Sequence, residues 1–170
     1  MKKVEHGKTF DRNAANPPAF EIFHNTVTEG YPKHWHTAIE IIMPTRGEYE
    51  VVVGKDSYNL KEGDIIMINS GVVHGMRFVS QGERIVMLVE PGCVENQEEM
   101  ETIFLRLPAI YFKKEDEEDP FYLFLRSQIL ELVREYDNEG AVMTHRICTG
   151  LKELFSEFGR KGFSDANAQN

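Results

Sequence analysis

The sequence predicts a mainly β domain followed by two to three α-helices. From about residue 20 to residue 90, short apolar runs alternate with turns that contain glycine, a spacing typical of an antiparallel sandwich or barrel. After residue 95 glycine becomes rare, and apolar residues recur at helical intervals. These two sequence patterns divide the chain into a β half and a helical half.

Charge and length exclude several functions. The chain has 170 residues, which suits one domain, or one domain with a small appendage, and its 28 acidic and 19 basic residues give a net charge of -9. An acidic surface argues against binding of nucleic acid or of an anionic membrane, since phosphate groups require a basic face. No apolar run approaches the roughly 18 residues of a membrane span. We therefore expect a cytoplasmic protein, whose two cysteines are small buried hydrophobes.

The β half begins after a polar arm and contains seven predicted strands. Residues 1–18 end in two prolines, which cannot join the interior of a sheet, and they are predicted to be an N-terminal arm. The barrel itself is predicted over 19–92. Glycine accepts the positive φ of a primed hairpin turn, which Gly54 is predicted to start. The strands are predicted at 19–28, 34–43, 48–53, 56–60, 65–69, 72–79 and 83–90.

The helical half is predicted over 96–160, and a tail or linker over 161–170. Asp119 is the predicted N-cap of the helix that begins at Pro120. A loop with an acidic run is predicted at 108–119. The helices are predicted at 96–107, 120–137 and 141–159.

The last helix carries an apolar stripe. Ile147, Leu151, Leu154 and Phe158 follow one another at intervals of four, three and four residues, which is an a/d seam. Such a seam packs either inside the chain or against a second copy in a dimer.

Four polar residues of the β half form the strongest functional pattern. His34, His36 and Glu40 are separated by even numbers of residues, so they point to one face of an extended strand. His74 lies on a later strand. Imidazoles together with one carboxylate are a usual ligand set for zinc, iron, manganese or nickel. The pattern therefore indicates either a metal site or a polar floor that holds a ligand.

Two aromatic side chains lie close to this pattern in the sequence. His24, on the strand before it, is a candidate to line the same pocket. Trp35 alternates with His34 and His36, so it is predicted to point away from them and to pack under the helices.

The four polar residues lie in two segments that resemble a known pair of motifs. Residues 30–47 (GYPKHWHTAIEIIMPTRG) resemble the first cupin motif, and residues 63–74 (GDIIMINSGVVH) resemble the second. The resemblance implies a double-stranded β-helix, or jelly-roll, barrel. The positions that bind metal in metal-containing cupins correspond here to His34, His36, Glu40 and His74.

Over roughly residues 20 to 160 the chain is similar to the sensory domain of AraC-family transcriptional regulators. In that family a cupin barrel precedes helices that form a dimer, and segments 120–137 and 141–159 resemble those helices. The family's DNA-binding domain, a pair of helix-turn-helix units, is absent from this chain. The chain is then either a fragment of a longer regulator or a free-standing sensor, and we expect the fragment, because the polar tail resembles the start of an interdomain linker. DNA would be contacted only through an attached domain.

The resemblance also implies what this domain binds. It would sense a small polar molecule, a sugar or a related metabolite, without a required cofactor, and it would dimerise through the apolar seam of its last helix. A divalent metal (zinc, nickel, manganese or iron) is the alternative occupant of the four-residue pattern. The alternative function is then a metal-dependent cupin enzyme of the isomerase or dioxygenase type. The candidate ligand-binding residues are His34, His36, Glu40, His74 and His24.

Overall fold

Nine β-strands and two α-helices make up the part of the chain that the structure describes. This computed structural model describes residues 19–26, 30–94, 107–116, 118–138 and 140–161. Outside the described residues lie the predicted arm at 1–18, the predicted helix at 96–107 except for Leu107, and the predicted tail beyond Lys161. The prediction of a mainly β domain followed by C-terminal helices is confirmed.

The strands form two antiparallel sheets that face each other. They are β1 (Phe20–Asn25), β2 (Tyr31–His34), β3 (Ile39–Arg46), β4 (Tyr49–Val53), β5 (Asp56–Leu60), β6 (Ile65–Ile68), β7 (His74–Phe78), β8 (Glu83–Val89) and β9 (Ala109–Phe112). The five-stranded sheet has the order β1-β8-β3-β6-β9, and the four-stranded sheet has the order β2-β7-β4-β5. The hairpin between β4 and β5 turns at Gly54, whose φ of 60° is the positive value that the sequence predicts.

The five-stranded sheet separates two layers of core. On β3, Ile39, Ile41 and Met43 belong to the cluster that contains the helices. Ile42 lies between them in sequence and packs instead against the four-stranded sheet. Successive side chains of a strand point to opposite faces, so this one strand serves both layers.

Two helices cover the outer face of this sheet. Helix α1 (Pro120–Asp137) begins as the sequence predicts, since the side chain of Asp119 accepts a hydrogen bond of 2.9 Å from the backbone N–H of Phe121. Helix α2 (Met143–Lys161) packs against α1 and against the sheet. Neither helix has the length and apolar character that crossing a lipid bilayer requires.

The apolar stripe of α2 is part of the intramolecular core. Ile147, Leu151, Leu154 and Phe158 are each 0% exposed in the single chain. They share the helix-side cluster with residues of α1 and of the sheet. The structure therefore favours the intramolecular alternative over the predicted dimer seam, because side chains already enclosed by their own chain present no surface to a second copy.

The predicted strand at 34–43 is interrupted. The first strand of this region, β2, ends at His34, and β3 begins at Ile39 in the other sheet. The chain crosses between the two sheets at residues 35–38, where Ala38 is fully buried. Apolar alternation continues through this corner, so the break leaves no mark in the hydrophobic pattern.

A ninth strand lies in the segment predicted as a loop. Residues Ala109–Phe112 form β9, which pairs antiparallel with β6. Ile110 and Phe112 are buried on the helix side of the sheet. The preceding proline and the charged residues that follow favour a loop at 108–119, and four residues are too few for periodicity to outweigh them.

Candidate functional site

His34, His36, Glu40 and His74 come together at one end of the barrel. Their potential ligand atoms all lie within 4.8 Å of one another. His34 ends β2 and pairs with His74, the first residue of β7, whereas Glu40 belongs to β3 in the opposite sheet. His36 lies in the crossing between the sheets. The site is therefore assembled from both sheets, and the predicted grouping holds although the strand that predicted it is broken.

Each imidazole of this cluster is oriented by its own backbone. The Nδ1 atom of His34 lies 3.0 Å from the carbonyl oxygen of Pro32. His36 makes the same contact with Ala38 at 2.9 Å, and His74 makes it with Val72 at 2.8 Å. A carbonyl oxygen only accepts, so Nδ1 must carry the hydrogen in every ring. Each neutral ring therefore presents the lone pair of Nε2.

The Glu40 carboxylate faces two of these Nε2 atoms. Its Oε2 lies 3.1 Å from Nε2 of His36 and 2.8 Å from Nε2 of His74. With neutral rings, lone pairs on nitrogen and oxygen would oppose each other at hydrogen-bond distance. A proton or a metal cation between them removes this repulsion. Imidazoles that donate Nδ1–H to backbone carbonyls are also the usual arrangement in metal sites, so these residues fit a divalent metal.

The charges of the cluster follow from these contacts. Burial alone would raise the pKa of Glu40, but the hydrogen bonds from His36 and His74 outweigh burial and lower this pKa to about 2. For His74, burial opposes the charged form, yet the Glu40 carboxylate raises the pKa above its ordinary value. Without metal, these contacts favour the ionised form of Glu40 and the protonated form of His74.

The cluster opens to solvent on the side of His34. This ring is half-buried, and burial together with the charge of His74 lowers its pKa. The exposed Tyr31 ring lies against it, with 4.9 Å between ring centroids. Trp35 is 54% exposed, which corrects the prediction that it packs under the helices. Because Trp35 lies in the crossing between the sheets, its side chain points outward instead of into the helix-side core.

His24 is not part of the cluster. It lies on β1 with Phe20 and Ile22 on the outer face of the sheet. Its Nε2 lies 3.3 Å from Oγ1 of Thr45 and 3.6 Å from Oε2 of Glu83. His24 therefore does not line the pocket as predicted. The alternation of side chains along β1 decides which face of the sheet His24 reaches, whatever the position of β1 in the sequence.

One buried charge of the barrel has no counterpart in the predicted set. Arg84 is 3% exposed and alternates along β8 with residues of the helix-side core. The signal was present in the sequence, since Arg84 shares its parity with Val86 and Leu88. An arginine at the start of a strand, next to a turn, is ordinarily exposed, so the sequence alone does not predict that Arg84 is buried.

Comparisons with known proteins give the class of the domain. Residues 25–90, which contain all four cluster residues, match the family model for the cupin domain. No curated protein sequence matches the chain. With two antiparallel sheets and this match, residues 25–90 are a cupin domain, and two C-terminal helices follow it.

Solved structures that are similar to all or part of the chain were also found. The chain is similar to apo ToxT from Vibrio cholerae strain SCE256, with 12% identity and a TM-score of 0.56 over 86% of this chain and 58% of that chain. It spans only 58% of the ToxT length. A protein of unknown function from Streptococcus pyogenes gives 17% identity and a TM-score of 0.41 over 54% of this chain and 94% of that chain. Oxalate decarboxylase from Bacillus subtilis gives 18% identity and a TM-score of 0.37 over 42% of this chain and 20% of that chain.

Proposed function

We propose that this chain is the ligand-sensing domain of an AraC-type transcriptional regulator. It binds a small polar molecule inside the barrel, and the resemblance to AraC-family sensors suggests a sugar or a related metabolite. The observation that carries the proposal is the double role of β3. This strand presents Glu40 to the cluster on its inner face, and Ile39, Ile41 and Met43 to the helices on its outer face.

This double role provides a route from ligand to helices. A ligand that contacts Glu40 favours the strand positions in which the contact forms, and the helices rest on the same strand. Binding thereby shifts the equilibrium between arrangements of the helices, provided that the ligand prefers one of them. The similarity to ToxT covers 86% of this chain and so extends beyond the barrel, which supports barrel and helices as one unit.

Dimerisation through the C-terminal helices belongs to the same proposal. The four seam residues are enclosed in the core, so the contact would use the outward faces of α1 and α2. Those faces are polar apart from a few residues such as Leu123, which is 50% exposed. A polar contact of this kind suits a reversible dimer. Contact with DNA is assigned to an attached domain, and the location to the cytoplasm.

A metal-dependent cupin enzyme is the second candidate, and the orientation of the imidazoles favours it. His34, His36, Glu40 and His74 would hold the ion, which would supply Lewis-acid chemistry to a bound substrate. His34 is half-buried and faces the opening, so substrate reaches the cluster from that side. The imidazoles and the carboxylate would position the ion and take up protons released when it binds.

A ligand screen with two matched variants tests the sensor. Thermal shift and hydrogen exchange are measured with a panel of sugars and small metabolites, on the wild type and on Glu40→Gln and Glu50→Gln. The Glu50 carboxylate pairs with Arg77 outside the barrel, at 3.5 Å. A sensor ligand raises Tm and slows exchange in α1 and α2 of the wild type and of Glu50→Gln, and does so less in Glu40→Gln.

The same preparation separates sensor from enzyme. Metal is measured by mass spectrometry in protein purified without added metal. Stoichiometric iron, manganese or nickel together with turnover contradicts a purely sensory role. If no compound of the panel changes Tm or helix exchange, the sensory proposal is wrong.

A further inference from the structure

Arg84 is a buried charge inside the barrel. It is 3% exposed and begins the inner face of β8, which continues with Val86 and Leu88. Its guanidinium carbon lies 4.9 Å from the centroid of the Tyr49 ring, which projects from the opposite sheet. The ring covers one face of the guanidinium, while the N–H bonds, which lie in the guanidinium plane, still require acceptors.

Two of the three guanidinium nitrogens have no acceptor for their N–H groups. Both Nε and Nη1 of Arg84 are buried without a hydrogen-bond partner. The other buried side chains of the described residues that can carry a charge all make hydrogen bonds; they are His36, Glu40, Asp64 and His74. Arginine cannot relieve its burial by losing a proton, because it stays charged at physiological pH. A buried, unpaired charge strongly destabilises a fold, so an anion bound here would remove a large penalty.

The sheet register brings no carboxylate of the described residues beside Arg84. Its partners on the neighbouring strands are Asn25 of β1 and Pro44 of β3, and neither carries a charge. Glu83, the preceding residue, makes an ion pair of 3.1 Å with Arg46 on the other face. Among the described residues no carboxylate compensates Arg84, which leaves room for the negative charge of a bound molecule.

The surroundings define the body of that molecule. Glu40 pairs with Leu88, and Arg84 lies four residues before Leu88 on the same face. The cluster and Arg84 are thus separated by roughly 13 Å along the strands, at about 3.3 Å per residue. Between them lies an apolar strip of Val86 and Leu88, each 8% exposed, with Phe23 packed against them. A molecule that reaches Arg84 along this strip has an anionic end and an apolar portion.

We propose that Arg84 binds the carboxylate of a small organic acid held inside the barrel, with its apolar portion against Val86 and Leu88. The inference rests on the proposed ligand-sensing function, and it narrows the ligand class from neutral sugars to carboxylates. Guanidinium and carboxylate match in charge and in planar geometry. The apolar walls strengthen their attraction, since they exclude water. A neutral sugar would leave the charge of Arg84 uncompensated.

Matched pairs of probes test the proposal on the whole chain. Thermal shift and calorimetry compare hexanoate with hexanol, galacturonate with galactose, and inorganic phosphate. The carboxylates are expected to raise Tm in a saturable manner, and their neutral partners are not. If galactose stabilises the protein and both carboxylates fail, the sensor stands and the role of Arg84 is refuted. Stabilisation by phosphate alone also refutes the carboxylate site.

Variants of Arg84 give the second readout. Arg84→Met keeps the length of the side chain and removes its charge, so it is expected to weaken carboxylate binding about 10- to 100-fold. It is also expected to raise Tm of the ligand-free protein, because the uncompensated charge is gone. Arg84→Lys retains the charge and should restore part of the binding. Arg77→Met is the control, since the Arg77 side chain is 73% exposed.

Both readouts are needed for the inference to stand. If Arg84→Met lowers Tm of the ligand-free protein and leaves carboxylate binding unchanged, Arg84 is a structural residue and the proposal is wrong. If Arg84→Met does not fold, weaker but saturable carboxylate binding by Arg84→Lys supports the role of Arg84, and binding by Arg84→Lys that equals the wild type contradicts the guanidinium–carboxylate match. If the wild type binds no carboxylate, the proposed role of Arg84 is overturned.

Discussion

Removal of the Asp64 carboxylate is expected to detach β9 from the barrel. Asp64 is 4% exposed and joins three parts of the chain. Its Oδ1 accepts from the backbone N–H of Lys114 at 2.7 Å, just after β9. Its Oδ2 accepts from the hydroxyl of Tyr111 in β9 at 2.6 Å, and from the backbone N–H of Lys61 at 2.9 Å.

The magnitude follows from these three bonds. A hydrogen bond to a charged group contributes about 1.5–3 kcal/mol, and a buried donor left without an acceptor loses a similar amount. Lys61 and Lys114 are exposed residues, so water can reach their backbone N–H groups in part. We therefore take the lower end for each bond and expect Asp64→Ala to reduce the free energy of unfolding by roughly 3–5 kcal/mol. This is a large part of the roughly 5–15 kcal/mol of a typical domain.

Urea unfolding at neutral pH, followed by circular dichroism, measures this loss. Asp56→Ala is the matched control, because Asp56 is exposed at the start of β5, and its effect is expected within about 0.5 kcal/mol. Hydrogen exchange should show that the amides of β9 lose protection in Asp64→Ala before those of β3. A loss below about 1 kcal/mol, with β9 still protected, would refute this account of the carboxylate.

Three further predictions concern titratable groups. Burial and the neighbouring Asp64 carboxylate raise the pKa of Tyr111 above its ordinary value of 10.0. The contribution of the protonated Tyr111 hydroxyl to stability is therefore complete below pH 10.0 and is lost as the pH rises through the pKa of the folded state. In urea unfolding at a series of alkaline pH values, Tyr111→Phe should not show this loss of stability. Protons compete with metal for the imidazoles, so calorimetry should show that the affinity for Ni²⁺ falls as the pH drops through the raised pKa of His74. His36→Ala should abolish Ni²⁺ binding, and the control His145→Ala should retain it. Burial raises the pKa of Cys93 from 9.0 to about 11, so its alkylation near neutral pH, followed by peptide mapping, should be about 100-fold slower than that of an ordinary thiol; equal rates would contradict this.

The cluster was predictable because its spacing is tied to backbone geometry. Even separations place His34, His36 and Glu40 on one side of an extended chain, and the second motif supplies His74. The break between β2 and β3 was not predictable, because the hydrophobic pattern continues across the corner. The cluster still forms, because the crossing at 35–38 brings the rings of His34 and His36 beside Glu40 and His74.

The helices show where periodicity reaches its limit. The intervals of Ile147, Leu151, Leu154 and Phe158 identify a buried stripe, and the structure buries all four. Periodicity states that a stripe is covered, but it does not state by what, and here the covering surface is the sheet and α1. The burial of Arg84 was not predictable for a related reason. Alternation along a strand places its side chain on one face, but only the fold shows that this face is enclosed.

Because the cluster is assembled from both sheets, binding at the cluster should stabilise one end of the barrel more than the other. His34 and His74 belong to the four-stranded sheet and Glu40 to the five-stranded sheet, so an occupant of the cluster clamps the sheets together at that end. Opening of the sandwich there then requires release of the occupant, and the binding free energy adds to the local opening free energy. Amides of β2 and the start of β7 should exchange more slowly when the cluster is filled, whereas the β4–β5 hairpin keeps its own rate.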